Sequence, residues 1–128
     1  MASGPHVPGL LSGGWQGLVF EPFRTGVEIC RLIDGGDEAP SVALLRYAPG
    51  ASVPLHRHEG LETVLVLEGS QRDGRGHYRA GDMVLNEAGT SHAISTEEGC
   101  VVLVQWERPV RILEDDRDPG ADLADARA

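Results

Sequence analysis

Between Trp15 and Leu113 no apolar stripe recurs at helical spacing. Short, β-branched runs take its place: GVEICRLI, SVALLRYA, ASVPLH, LETVLVLE, DMVLNE, HAIST and CVVLVQWE. Gly, Pro and Asp punctuate them, in DGGDEAP, APGA, HEG, EGSQRDGRG, AGD, EAGTS and EEG. Strand runs at fairly even spacing, joined by hairpin-length gaps, predict an all-β double sheet or barrel. From Leu61 to Leu67 the pattern alternates. Leu61, Thr63, Leu65 and Leu67 share one face, and Glu62, Val64 and Val66 the other. Apolar residues on both faces predict a strand covered on both sides.

A length of 128 residues fits one domain. Residues 1–14 hold four Gly and two Pro and read as a loose arm. Residues 15–113 read as the folded domain. Residues 114–128, with six acids and two Arg, read as an acidic tail. Twenty acidic residues against eleven basic ones give a charge of -9, so nucleic acid and anionic membranes are not expected partners. Every basic residue is Arg; without Lys, Schiff-base chemistry and a P-loop lysine are excluded. The apolar runs fall far short of the ~20 residues a bilayer span needs. The N-terminal sequence has no basic region leading into an apolar stretch, so a cytoplasmic protein is expected. Cys30 and Cys100 are too few for a disulfide scaffold and read as small buried hydrophobes.

The chemistry concentrates in GASVPLHRHEGLETVLVLEG, residues 50–69. His56 and His58, two apart, face the same side of a strand. On a straight strand Glu62 would lie about 13 Å beyond His58. That is too far to share an ion, so the chain must turn between them. Gly60, tolerant of unusual backbone angles, is placed to permit the turn. GDMVLNEAGTSHAIST, residues 81–96, supplies His92 after a Gly-Thr-Ser turn. Three neutral imidazoles and a carboxylate suit one divalent ion, Zn, Fe, Ni, Mn or Cu, with positions left for water or substrate. A Glu at the inner-face parity of a strand reading TVLVL is costly unless paired or liganded. Glu62 is therefore a fourth ligand or a catalytic general base; the plainer alternative is a buried, hydrogen-bonded carboxylate. Val64, Val66 and Ile94 share parity with nearby ligands and are candidates for an apolar substrate-pocket wall. Of Arg46 and Tyr47 one faces inward; an inward Arg46 could hold an anionic substrate, and an outward one would be a salt-bridged surface Arg. His6 and His77 read as surface residues. Trp15 and Trp106 read as barrel caps or interface fillers.

These residues resemble the cupin superfamily. Gly50, His56, His58, Glu62 and Gly69 match its first motif at every spacing. Gly81, Gly89 and His92 match the second, with Glu87 where Pro is usual and Thr96 where Asn is usual. Trp15-Gln16, GVEICRLI, ALLRYAPGASVPLHRH, ETVLVLEG, AGTSHAIST and EEGCVVLVQW further resemble ChrR-type cupin domains. The resemblance implies a double-stranded β-helix, the cupin jelly-roll barrel. It implies His56, His58, Glu62 and His92 as ligands of one Zn, Fe, Ni or Mn ion, a small-molecule ligand and a homodimer. Two functions follow from it. One is a metal-dependent enzyme, dioxygenase-like, on a small organic substrate. The other is a ligand- or oxidant-sensing module like the cupin half of zinc-binding anti-sigma factors. Those factors hold a sigma factor through a separate N-terminal helical domain. Residues 1–14 do not supply one, so sigma-factor binding of that kind is not expected.

Overall fold

A computed structural model of the chain describes residues 4–113. The acidic tail expected over 114–128 lies outside the described residues. Among the described residues ten strands form: β1 (Glu21–Arg24), β2 (Val27–Ile33), β3 (Ser41–Tyr47), β4 (Ser52–Arg57), β5 (Glu62–Arg72), β6 (His77–Arg79), β7 (Met83–Asn86), β8 (Ser91–Ser95), β9 (Cys100–Trp106) and β10 (Arg111–Ile112). Their recorded pairings are all antiparallel. The path β1-β2-β3-β9-β5-β8-β4-β10 curls the sheet on itself, with β6 and β7 both added to β5. Strand β5 spans the curl. Its first residues lie between β9 and β7, while its end pairs with β6 and meets β8 at Arg72↔Ser95. This is the all-β jelly roll the sequence predicts.

Alternation sets the inner core. Ala43, Leu45 and Tyr47 of β3 and Val102, Val104 and Trp106 of β9 face one interior with Ile29, Val53, Val64 and Val66. Leu44, of opposite parity, is nonetheless fully buried. The segment before β1 explains it. Two 3-10 turns, Leu10–Ser12 and Gly14–Gly17, lay Trp15 over Leu44 and Val101 on the outer face, with Leu10, Leu18 and Phe20 alongside. Part of the stretch expected as a loose arm thus takes on turn structure. Trp15 fills this outer layer, far from the interior face of the sheet. Among the described residues, no helix is long and apolar enough to cross a membrane.

Two local irregularities position the site. In β4, Val53 pairs with Ile94 and His56 with His92, so three steps on one strand face two on the other. A regular strand would turn Leu55 and Arg57 inward after Val53. The bulge at Pro54–Leu55 turns His56 inward instead. In β5 the register with β9 shifts between Val66 and Glu68, next to Gly69. Gly69 has φ +73°, and a Cβ there would sit 2.1 Å from the carbonyl oxygen of Gly99. Gly60 acts differently from expectation. It is absent from the glycines with positive φ, and its role is space: a Cβ would lie 3.0 Å from Glu107 Cβ and 3.1 Å from Arg108 N.

Candidate metal centre

His56 reaches the interior through the β4 bulge, His58 lies just past the end of β4, and His92 comes from β8. Their ligand nitrogens all lie within 4.8 Å of one another. His56 and His58 are 0% and 1% exposed. Each ring has one nitrogen engaged. His56 Nδ1 lies 2.9 Å from the carbonyl of Pro54, and His58 Nδ1 lies 3.0 Å from both the carbonyl and Oγ1 of Thr90. His92 Nδ1 lies 2.8 Å from Asp73 Oδ2.

These partners fix the tautomers. A carbonyl and a carboxylate accept only. Thr90 Oγ1 gives its single proton to the carbonyl of Glu87, so it too accepts from His58. All three rings therefore carry Nδ1–H and present an Nε2 lone pair. All three Nε2 atoms are buried with no hydrogen-bond partner. Three such lone pairs converging in a buried interior are unfavourable without an electrophile between them. Imidazoles oriented through Nδ1–H to carbonyl or carboxylate are the arrangement metal sites use. The residues fit a borderline divalent ion.

Glu62, the first residue of β5, is 3% exposed. Asn86 Nδ2 donates to its Oε1 at 2.8 Å and Trp106 Nε1 to its Oε2 at 2.7 Å. Oε1 also stands 3.2 Å from His58 Nε2. With His58 protonated at Nδ1, that approach sets two lone pairs face to face, which a shared cation relieves. Burial pushes the Glu62 carboxyl up, and positive charge on the facing imidazole side, His58 foremost, outweighs it and lowers the group; with neutral rings, a cation held among them would supply that charge. Burial pulls His56 down to about 4 against the opposing hydrogen bond to Pro54, and it pulls His92 down against Asp73. Neutral rings are the form that ligates.

Beside His92 and Glu62 lies a cavity of about 10 Å³, walled in part by Tyr47, Val64, Gln71 and Ile94. It has room for about one water. Val66 is buried in the same core but does not line it. Tyr47 is the inward member of its pair. Arg46 points outward, with Nη2 2.7 Å from Glu28 Oε1 and its guanidinium 4.2 Å from the Phe20 ring centre. His6 and His77 are exposed. Two larger hollows, of about 450 and 470 Å³, lie against residues 22–28 and 46–54, and no histidine lines either.

Residues 15–108 match the family described as ChrR Cupin-like domain. The chain belongs to the ChrR cupin-like family. It is 36% identical over 89 residues to the anti-sigma-E factor ChrR of Cereibacter sphaeroides, a match covering 67% of this chain and 40% of that protein. The chain thus spans well under half of that relative. The crystal structure of Rhodobacter sphaeroides SigE in complex with the anti-sigma ChrR is similar at 30% identity and TM-score 0.63, over 71% of this chain and 49% of that one. An acetylacetone dioxygenase from Acinetobacter johnsonii is similar in fold at TM-score 0.68 and 15% identity, over 77% of this chain and 74% of that one.

Within this ChrR cupin-like barrel, four residues that sequence reasoning did not single out for the site support it: Asp73, Asn86, Thr90 and Trp106. Asn86 carried a legible signal, because it stands at the inner parity of DMVLN after Val84, where an amide needs a partner. Trp106 likewise follows Val102 and Val104 on the inner face of β9. Asp73 sits in an Asp-Gly-Arg-Gly turn, and nothing local points it at His92.

Proposed function

We propose that the chain is a mononuclear metal-binding cupin that presents a small oxygen-donor ligand to an ion held by His56, His58 and His92, with Glu62 as the fourth ligand. The convergence of three buried, unpartnered Nε2 atoms carries this reading. When bound, the ion supplies Lewis acidity at its open position and lowers the pKa of a bound water or enol. The protein's own groups do the rest. Asn86 and Trp106 hold Glu62 as a carboxylate, which supports a fixed ligand over a mobile base. Val64 and Ile94 give the adjacent space an apolar wall, with Tyr47 and Gln71 adding polar groups. Room for about one water beside His92 means that a larger substrate binds only if that wall moves.

The identity to ChrR supports a second reading, a sensing module whose metal-held ligand alters a partner contact. Elemental analysis of protein purified without added metal tests the shared premise. It should find about one divalent ion per chain, with content falling sharply in His58→Ala; full occupancy in that variant rejects the ligand set. Assay of the iron-loaded protein on dicarbonyl compounds then separates the two readings. Turnover supports the enzyme, while tight zinc with no turnover and oxidant-dependent binding of a sigma factor supports the sensor.

A further inference from the structure

Asp73 lies in the connection between β5 and β6, outside both histidine-bearing segments. Its side chain is 0% exposed, and its two oxygens divide their work. Oδ1 builds the turn, accepting from the backbone N–H of Arg75 at 2.8 Å and of Gly76 at 3.1 Å and from the Tyr78 hydroxyl at 2.8 Å. Oδ2 faces His92 Nδ1 at 2.8 Å and Arg75 Nη2 at 3.3 Å. The same Arg75 nitrogen donates to Asn86 Oδ1. That contact orients the amide so that Nδ2 points to Glu62 Oε1. One guanidinium therefore joins two arms, one through Asp73 to His92 and one through Asn86 to Glu62.

Resting on the metal reading above, we infer that the 73–76 turn is a positioning clamp: Asp73 sets the tautomer of His92, and Arg75 locks His92 and Glu62 into one frame. Asp73 and Arg75 are positioning residues and touch no ion. The carboxylate requires a proton on Nδ1, which leaves Nε2 free to ligate. Oδ1 is pinned by three donors. A carboxamide in its place keeps its oxygen there and turns its NH2 toward His92. Nδ1 must then accept, and the proton moves to Nε2, the ligating atom. Few other substitutions reverse a tautomer while preserving shape.

The test reads tautomers in the metal-free protein by long-range proton–nitrogen NMR of the imidazoles, and Zn(II) affinity by competition with a chromophoric chelator. Wild type should show Nδ1–H on all three site histidines. Asp73→Asn should move His92 alone to Nε2–H and weaken Zn(II) binding about 10- to 100-fold. Tyr78→Phe, which removes a donor to Oδ1 only, should leave the His92 tautomer unchanged. If Asp73→Asn does not fold, Arg75→Met carries the test, because that side chain is 54% exposed. It should fold and bind Zn(II) about tenfold more weakly. An Nδ1–H His92 with undiminished affinity in folded Asp73→Asn overturns the inference, as does unchanged affinity in Arg75→Met. Failure of the metal reading shows separately, as no Zn(II) uptake by wild type, since the tautomers are read without metal.

Discussion

Trp106 donates its indole N–H to Glu62 Oε2 at 2.7 Å, from the far end of β9 to the first residue of β5. The two residues are directly paired across the sheet, so register alone brings them together. Trp106→Phe keeps an aromatic ring and removes the donor. It should destabilise the metal-free protein by about 1–3 kcal/mol and weaken metal binding, read by urea unfolding and metal titration. Trp15→Phe, altered in the outer layer, should change stability alone. Equal loss of metal affinity in both variants would show that Trp106 acts only through packing.

Chelation should lower the melting temperature. An ion present at a hundred times its dissociation constant contributes about 2.7 kcal/mol, or about 10 °C for a domain of this size. The His56→Ala, His58→Ala and His92→Ala variants should lose the difference between chelated and metal-loaded samples in calorimetry.

Acid should weaken the metal-free protein through its imidazoles. Burial holds His56 at about 4 against an ordinary 6.5. Between those values the unfolded chain binds more protons, so stability rises with pH. It is complete above the ordinary value and lost as pH falls toward the folded one; His92, also lowered, adds in the same direction. Urea midpoints of chelated protein should drop from about pH 8 to pH 5, less steeply in His56→Gln. Identical slopes would assign the dependence elsewhere.

Two glycines with similar positive φ should respond unequally. Gly50 has φ +83° and open space around a Cβ, while at Gly69 a Cβ meets the Gly99 carbonyl oxygen at 2.1 Å. Gly50→Ala should cost about 1 kcal/mol. Gly69→Ala should cost several times that, because backbone must move. Similar unfolding midpoints for the two would contradict the close approach.

The two thiols should differ. Cys30 packs into the outer layer and Cys100 into the inner core, on opposite faces of the sheet, and both are free. Burial raises Cys30, helped by Glu21, and pushes Cys100 up to about 12. A chromogenic disulfide reagent should titrate one thiol in the native protein and both after unfolding. Oxidation should form no bond between them.

Local pattern made the strands legible, because β-branched runs and Gly-rich turns act at short range. His56, His58 and His92 were legible for the same reason: a two-residue spacing and a turn suffice to place them. The outward course of Arg46 depended on Glu28 and Phe20, which a single strand does not reveal. Gly60 was legible as special, but its reason was the approach of Glu107 and Arg108, forty-odd residues away. Asp73 was illegible because its partner arrives through β8, and only the closed roll brings that strand beside the turn.

The irregular step at Pro54–Leu55 separates location from aim. Dropping one codon there would straighten β4 and still deliver both imidazoles of the pair to the interior, since Val53 and His56 would then sit two apart. It would also displace the proline carbonyl that meets His56 Nδ1 at 2.9 Å. A ring so released could spin between its two nitrogens. The shortened chain would fold around the same hollow with that imidazole no longer aimed.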